Sequence, residues 1–108
     1  MSGVLLTDVA EVIRSKNAGP YELTLDIIFS RRENYAFLKE KEFFTRELFS
    51  RLYGISPEAV LNVTHFDPAC AVKATLVRKH VSGDPGDTDI YGAQQHAPLL
   101  ALRVPRCS

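Results

Sequence analysis

Residues 21–29 alternate with a period of two, Tyr21, Leu23, Leu25, Ile27 and Phe29 on one side and Glu22, Thr24, Asp26 and Ile28 on the other. That pattern predicts a strand with one buried face and one mostly polar face. Upstream the period changes. Asp8 and Glu11 have the D-x-x-E spacing of a capping box, and Val9, Val12 and Ile13 share one side of a 3.6-residue repeat, which predicts a helix over 8–16. Arg14, Lys16 and Asn17 close it, with cations at the negative end of the helix dipole. Gly19 can take a left-handed C-terminal position and Pro20 cannot continue a helix, so the two form a stop signal.

Downstream of the strand, Ser30 and Glu33 repeat the capping-box spacing and open a helix through Lys41, with Tyr35 and Leu38 inward and Phe37 at the margin. Lys39, Glu40, Lys41 and Glu42 read as its solvated end. Thr45 caps a third helix carrying Leu48, Phe49, Leu52 and Tyr53, Gly54 stops it, and Ser56 with Pro57 starts a short turn. Residues 61–66 and 71–78 are β-rich runs joined by Asp67 and Pro68, which suits a hairpin with a type I turn. Residues 99–104 read as a last strand without polar alternation, which predicts burial on both faces or at an interface.

Length and composition narrow the class. A chain of 108 residues with 45% hydrophobic content fits a single domain over 1–108, with enough apolar material to fold without disulfides or a structural metal. Thirteen Lys and Arg balance thirteen Asp and Glu, so no net field draws the protein to nucleic acid or anionic lipid. Cys70 and Cys107 form no CxxC or Cys/His ligand spacing and read as free thiols. With no signal-peptide pattern and no membrane-length apolar run, the expectation is a soluble, cytoplasmic protein.

Candidate chemistry concentrates in residues 81–98, VSGDPGDTDIYGAQQHAP, a connection longer than most in compact domains. It holds Gly83, Gly86 and Gly92 and the carboxylates of Asp84, Asp87 and Asp89, with no Lys or Arg between Lys79 and Arg103. Glycines permit close backbone approach, carboxylates offer hard ligands or proton acceptors, and Gln94, Gln95 and His96 add donors and a titratable imidazole. Asp84-Pro85-Gly86-Asp87 also reads as a tight double turn satisfied by its own Asp side chains. The spacing does not match a calcium-binding loop of the EF-hand type, which leaves open an Mg²⁺ or Mn²⁺ site of two aspartates with His96. His96 is a candidate general acid or base, and Tyr91 reads first as a packing anchor and second as a phenol donor.

Other signals are sparser. His65 and Asp67 fit either a polar pair or a strand-end histidine beside a turn aspartate. The pairs Arg31-Arg32 and Arg78-Lys79 fit an anion site or a solvated surface. No GxSxG elbow, P-loop, GxGxxG or HExxH is present.

Four stretches, RSKNAGPYELTLDIIF at 14–29, TRELFSRLYGI at 45–55, FDPACAVKATL at 66–76 and SGDPGDTDIYGAQQHAPLL at 82–100, resemble the small proteins catalogued as domain of unknown function 4387. That family is similar to the small ferredoxin-like C-terminal domain of acyclic terpene utilisation protein A. Its members tend to be encoded beside, or fused to, a large protein resembling the remainder of that protein. The resemblance therefore implies a two-component system with that large protein as partner, and it defines no reaction. The motif residues it offers as candidates are Ser15, Lys16, Asn17, Asp67, Asp84, Asp87, Asp89, Tyr91, Gln94, Gln95 and His96. The chain departs from the pattern at Cys70, where Arg or another polar residue is expected, and in a basic tail over 103–108.

The element order predicts a two-layer α+β sandwich: a mixed four-stranded sheet with helices on one face, ferredoxin-like in arrangement with a permuted order allowed. A right-handed crossover places the ends of the 21–29 and 61–66 strands at one edge, with Asp67 near it and Asn17 opposite. The leading functional expectation is a non-autonomous subunit of a heteromeric enzyme acting on a carboxylic acid or its coenzyme A thioester, with Asp84, Asp87, Asp89 and His96 in catalytic roles. Ser15, Lys16, Asn17, Asp67, Tyr91, Gln94 and Gln95 are then substrate-binding. The alternatives are a stand-alone metal-dependent hydratase or lyase, and a homo-oligomeric binding module paired through the last strand.

Overall fold

The structure is a computed structural model that describes residues 3–19, 21–77 and 97–106. Its strand β1 (Gly3–Leu5) leads into a one-turn helix α1 (Leu6–Val9), and β2 (Ala10–Gly19) and β3 (Glu22–Phe29) follow. Helices α2 (Arg32–Glu40) and α3 (Arg46–Tyr53) precede the hairpin of β4 (Val60–Phe66) and β5 (Ala71–Val77), and the described chain closes with α4 (Ala97–Leu100) and β6 (Arg103–Pro105). The fold is α+β, a four-stranded antiparallel sheet with α2 and α3 packed on one face.

The sheet order is β2-β3-β5-β4, and every neighbouring pair is antiparallel. The expected mixed sheet is therefore corrected. Strands β3 and β4 do run parallel, as the crossover requires, but β5 lies between them and pairs with both. Inserting the hairpin's second strand satisfies both neighbours with perpendicular antiparallel bonds, slightly the stronger kind. The fourth strand is also not the expected one, because it comes from 10–19 rather than 99–104.

The predicted first helix survives only as α1. The expected Asp8–Glu11 capping box does not form: Asp8 lies inside α1, where its Oδ2 accepts from the backbone N–H of the capping residue Leu5 at 3.2 Å, and Glu11 is on β2. Beyond Val9 the β-branched Val12 and Ile13 disfavour helix, and pairing with β3 from Ala10 to Gly19 overrides the weak local preference. The predicted last strand divides into α4 and β6. Only residues 103–105 pair, and their partner is β1 in a separate two-stranded sheet. That contact is close enough that a Cβ on Gly3 would lie 2.8 Å from the carbonyl oxygen of Val104, so the first strand needs glycine there.

The boundary signals of α3 hold. Thr45 Oγ1 accepts from the Leu48 N–H at 3.1 Å, and Gly54 ends α3 at φ 64°. Helix α2 starts one residue later than expected, with Arg31 rather than Ser30 at the cap. It ends in a Schellman motif with Glu42 at φ 53°, where Phe43 N–H reaches Leu38 O and Glu42 N–H reaches Lys39 O.

Leu23, Leu25, Ile27 and Phe29 of β3 and Val72, Ala74 and Leu76 of β5 face α2 and α3 and are all buried. Phe44 joins the layers. Its ring centroid lies 6.0 Å from Phe29 and 6.2 Å from Phe49, and Phe29 lies 6.1 Å from Tyr35. Leu6, Leu99 and Val104 extend this core to the chain's two outer segments. Among the described residues no helix is long and apolar enough to cross a membrane.

Candidate functional site

The register brings the ends of β3 and β4 to one end of the sheet, since Ile28 and Phe66 both face Ala71. The hairpin connection, a 3₁₀ turn over Asp67–Ala69, is therefore set against the start of α2. Arg32, Tyr35, Ala36 and Lys39 stand at i, i+3, i+4 and i+7 and share one side of that helix. Three of them reach Asp67. The Tyr35 hydroxyl donates to Oδ1 at 2.5 Å, Lys39 Nζ lies 2.8 and 3.0 Å from Oδ1 and Oδ2, and Arg32 Nη1 donates to the Asp67 carbonyl at 3.1 Å.

These contacts fix the charge states. Hydrogen bonds from Lys39 and then Tyr35 hold the Asp67 carboxyl below its ordinary range. Burial, followed by the hydrogen bond to the Asp67 carboxylate, pushes the Tyr35 phenol well above its ordinary value, so it stays a donor. His65, half-buried with its ring centroid 6.1 Å from that of Tyr35, is shifted down by burial and then by Lys39, against the pull of Asp67. Its Nε2 is buried and has no hydrogen-bond partner among the described residues.

Arg32, Tyr35, Ala36, Lys39, Glu40, Glu42 and Asp67 line an open depression of about 480 Å³. All but Asp67 come from α2 and its C-terminal cap. The depression thus has one well-built wall, with guanidinium, ammonium and carboxylate groups at its rim. The buried Cys70 closes the hairpin turn at φ 51°, donating its N–H to Asp67 O, while its carbonyl accepts from Phe29 N–H.

The structure divides the sequence-predicted candidates. Asp67 belongs to this corner. Its carboxylate is taken by Tyr35 and Lys39, which leaves His65 beside the network rather than paired to it. Ser15, Lys16 and Asn17 lie on β2 near the opposite end, where Asn17 faces Leu23. Six strand residues, about 20 Å, separate that end from Phe29. Ser15 and Asn17 share the face of Leu25 and Leu23, whereas Lys16 is on the other, so the three do not form one cluster. Asp84, Asp87, Asp89, Tyr91, Gln94, Gln95 and His96 lie outside the described residues, as do Arg78 and Lys79. Among the described residues no three His, Cys, Asp or Glu side chains converge as metal ligands.

Tyr35 and Lys39 were not expected at a site, and Arg32 was considered only as half of the Arg31-Arg32 pair. Tyr35 reads as core and Lys39 as solvated helix end, and both descriptions hold for part of each side chain. The available signal was their spacing, which aligns phenol and ammonium on the side of α2 carrying Arg32. The basic pair Arg31-Arg32 is divided, because Arg31 pairs with Glu33 at 2.8 Å while Arg32 turns to the hairpin.

The fold and this corner define a small α+β domain with a depression beside Asp67 that is open on one side. Its sequence matches the family described as Domain of unknown function (DUF4387) over residues 6–103, and the chain belongs to that family. No curated protein and no solved structure matches the chain.

Proposed function

We propose that this chain is the small, non-autonomous subunit of a heteromeric enzyme acting on a carboxylic acid or its coenzyme A thioester. Its partner is then a large protein resembling acyclic terpene utilisation protein A. The observation that supports this reading is the one-sided depression at Asp67, whose lining comes almost wholly from α2. A site with a single wall needs a second surface to exclude water and surround a substrate. The cations of Arg32 and Lys39 suit the anionic groups of such substrates, provided a partner or substrate competes with Asp67 for them. Asp84, Asp87, Asp89 and His96 supply the remaining polar chemistry at the partner's site, with Gln94, Gln95 and Tyr91 in binding roles.

The test is purification of the chain with and without a large protein resembling acyclic terpene utilisation protein A. Association, together with loss of the large protein's activity when the small chain is withheld, is the expected result. Failure to associate at tens of micromolar, the upper range of weak specific complexes, overturns the proposal. In the reconstituted complex, Asp87→Ala and His96→Ala remove activity and leave the melting temperature of the small chain nearly unchanged. A loss of several kcal/mol in folding stability instead returns these residues to a turn-forming role.

A further inference from the structure

Helices cover only one face of the sheet among the described residues, and the register orders the other face into rows that cross all four strands. Directly opposed residues on antiparallel strands share a face. One row is therefore Val12, Ile28, Ala71 and Phe66, the next Arg14, Asp26, Lys73 and Thr64, and the third Lys16, Thr24, Thr75 and Asn62, in which Thr24 is buried and Lys16 and Asn62 are exposed at the two edges. Phe66 is 58% exposed at the edge of the apolar row, and Ala71 leaves a dip between it and Ile28. In the second row Arg14 lies 3.2 Å from Asp26, and Lys73 sits on the other side of Asp26.

We propose that this face is the contact surface of a homodimer, with its two-fold axis running along the strands between β3 and β5. A rotation about that axis keeps each row over itself and reverses its order. Ile28 then meets Ala71 of the second copy, a large side chain over a small one, and Phe66 meets Val12. Asp26 meets Lys73 of the second copy, Arg14 meets Thr64, and Lys16 meets Asn62. No like charges are stacked. An in-plane axis across the strands, laid through the charged row, would instead stack Arg14 on Arg14 and Lys73 on Lys73, so the pattern selects the first arrangement. The selected axis also keeps the strands of the two sheets aligned, the usual geometry for sheets packed face to face.

Four strands and six residues of strand length give a footprint of roughly 20 by 20 Å on each copy. That area falls at the low end for specific complexes, so the dimer forms reversibly and in proportion to concentration. Because the axis follows the strands, both Asp67 turns lie at the same end of the dimer, each next to Val12 of the other copy. Two one-walled depressions are thereby presented together. This inference does not depend on the enzyme-subunit reading, because it is tested on the isolated chain.

The experiment is sedimentation velocity on the purified chain from about 1 to 500 µM, the range in which contacts of this size dissociate. The mass is expected to rise toward twice 12.1 kDa. Lys73→Asp sets a carboxylate against Asp26 of the second copy and weakens dimerisation at least tenfold, on the order of 1.4 kcal/mol, and Asp26→Lys in the same chain restores most of the loss. Ala71→Tyr fills the dip and abolishes the dimer. Phe66→Ser, at an exposed position, weakens it with an unchanged circular dichroism spectrum. A chain that stays monomeric throughout, or a dimer insensitive to Lys73→Asp and Phe66→Ser, overturns the proposal.

Discussion

The two faces of one sheet show how the same backbone can be specified for different ends. Toward α2 and α3, β3 and β5 present Leu, Ile, Phe, Val and Ala at alternate positions, almost all shielded from water. On the other side the same strands carry Glu22, Thr24, Asp26, Ile28, Lys73 and Thr75. The covered face is held by dispersion and transfer from water, which depend on volume and shape. The opposite face is held by cross-strand pairs of a few tenths of a kcal/mol each, and such pairs decide what docks there more than whether the chain folds.

This contrast has measurable consequences. The largest effect belongs to the covered side, where Phe49→Ala is expected to cost about 3–5 kcal/mol by chemical denaturation. Thr45→Ala, at the start of the helix carrying Phe49, removes the cap on Leu48 N–H and costs about 1 kcal/mol in the same measurement. His65 links the helix-covered side to pH. Its folded value lies below the ordinary 6.5, so as pH falls the unfolded chain takes up the proton first. Stability is then at its full value above 6.5 and declines below it, a slope that His65→Phe reduces. On the far face Arg14→Ala breaks only a solvent-screened pair, and its effect on dilute, monomeric protein stays within about 0.5 kcal/mol. A loss from Arg14→Ala comparable with that from Thr45→Ala would erase the distinction between the faces.

How legible each part was in the sequence follows from the same physics. Strand β3 shows its period over eight residues because one side must be apolar, and α3 carries both a capping threonine and a terminating glycine. The position of Asp67 beside the end of β3 follows from crossover geometry and does not require knowing where β5 inserts. Strand β2 was hidden because neither of its faces is strongly apolar. Ile13, Ser15 and Asn17 alternate with Val12, Arg14 and Lys16, a pattern that supports strand only once β3 supplies the partner. The Asp67 corner was half legible: its carboxylate stood out, while Tyr35 and Lys39 lie some thirty residues earlier and are brought to it by the crossover. The residues of 81–98 carried the most chemical signal in the sequence, and their contribution is a matter for the activity experiments above.

The pairing of Gly3 with Pro105 has a kinetic meaning as well. The β4–β5 hairpin joins neighbouring stretches and can form early, whereas the β1–β6 clasp joins segments about a hundred residues apart and closes a long loop for only three residue pairs. The clasp is therefore the step that the rest of the domain must prepare. Mutations at Gly3 or Val104 should speed unfolding while leaving the rate of folding almost untouched.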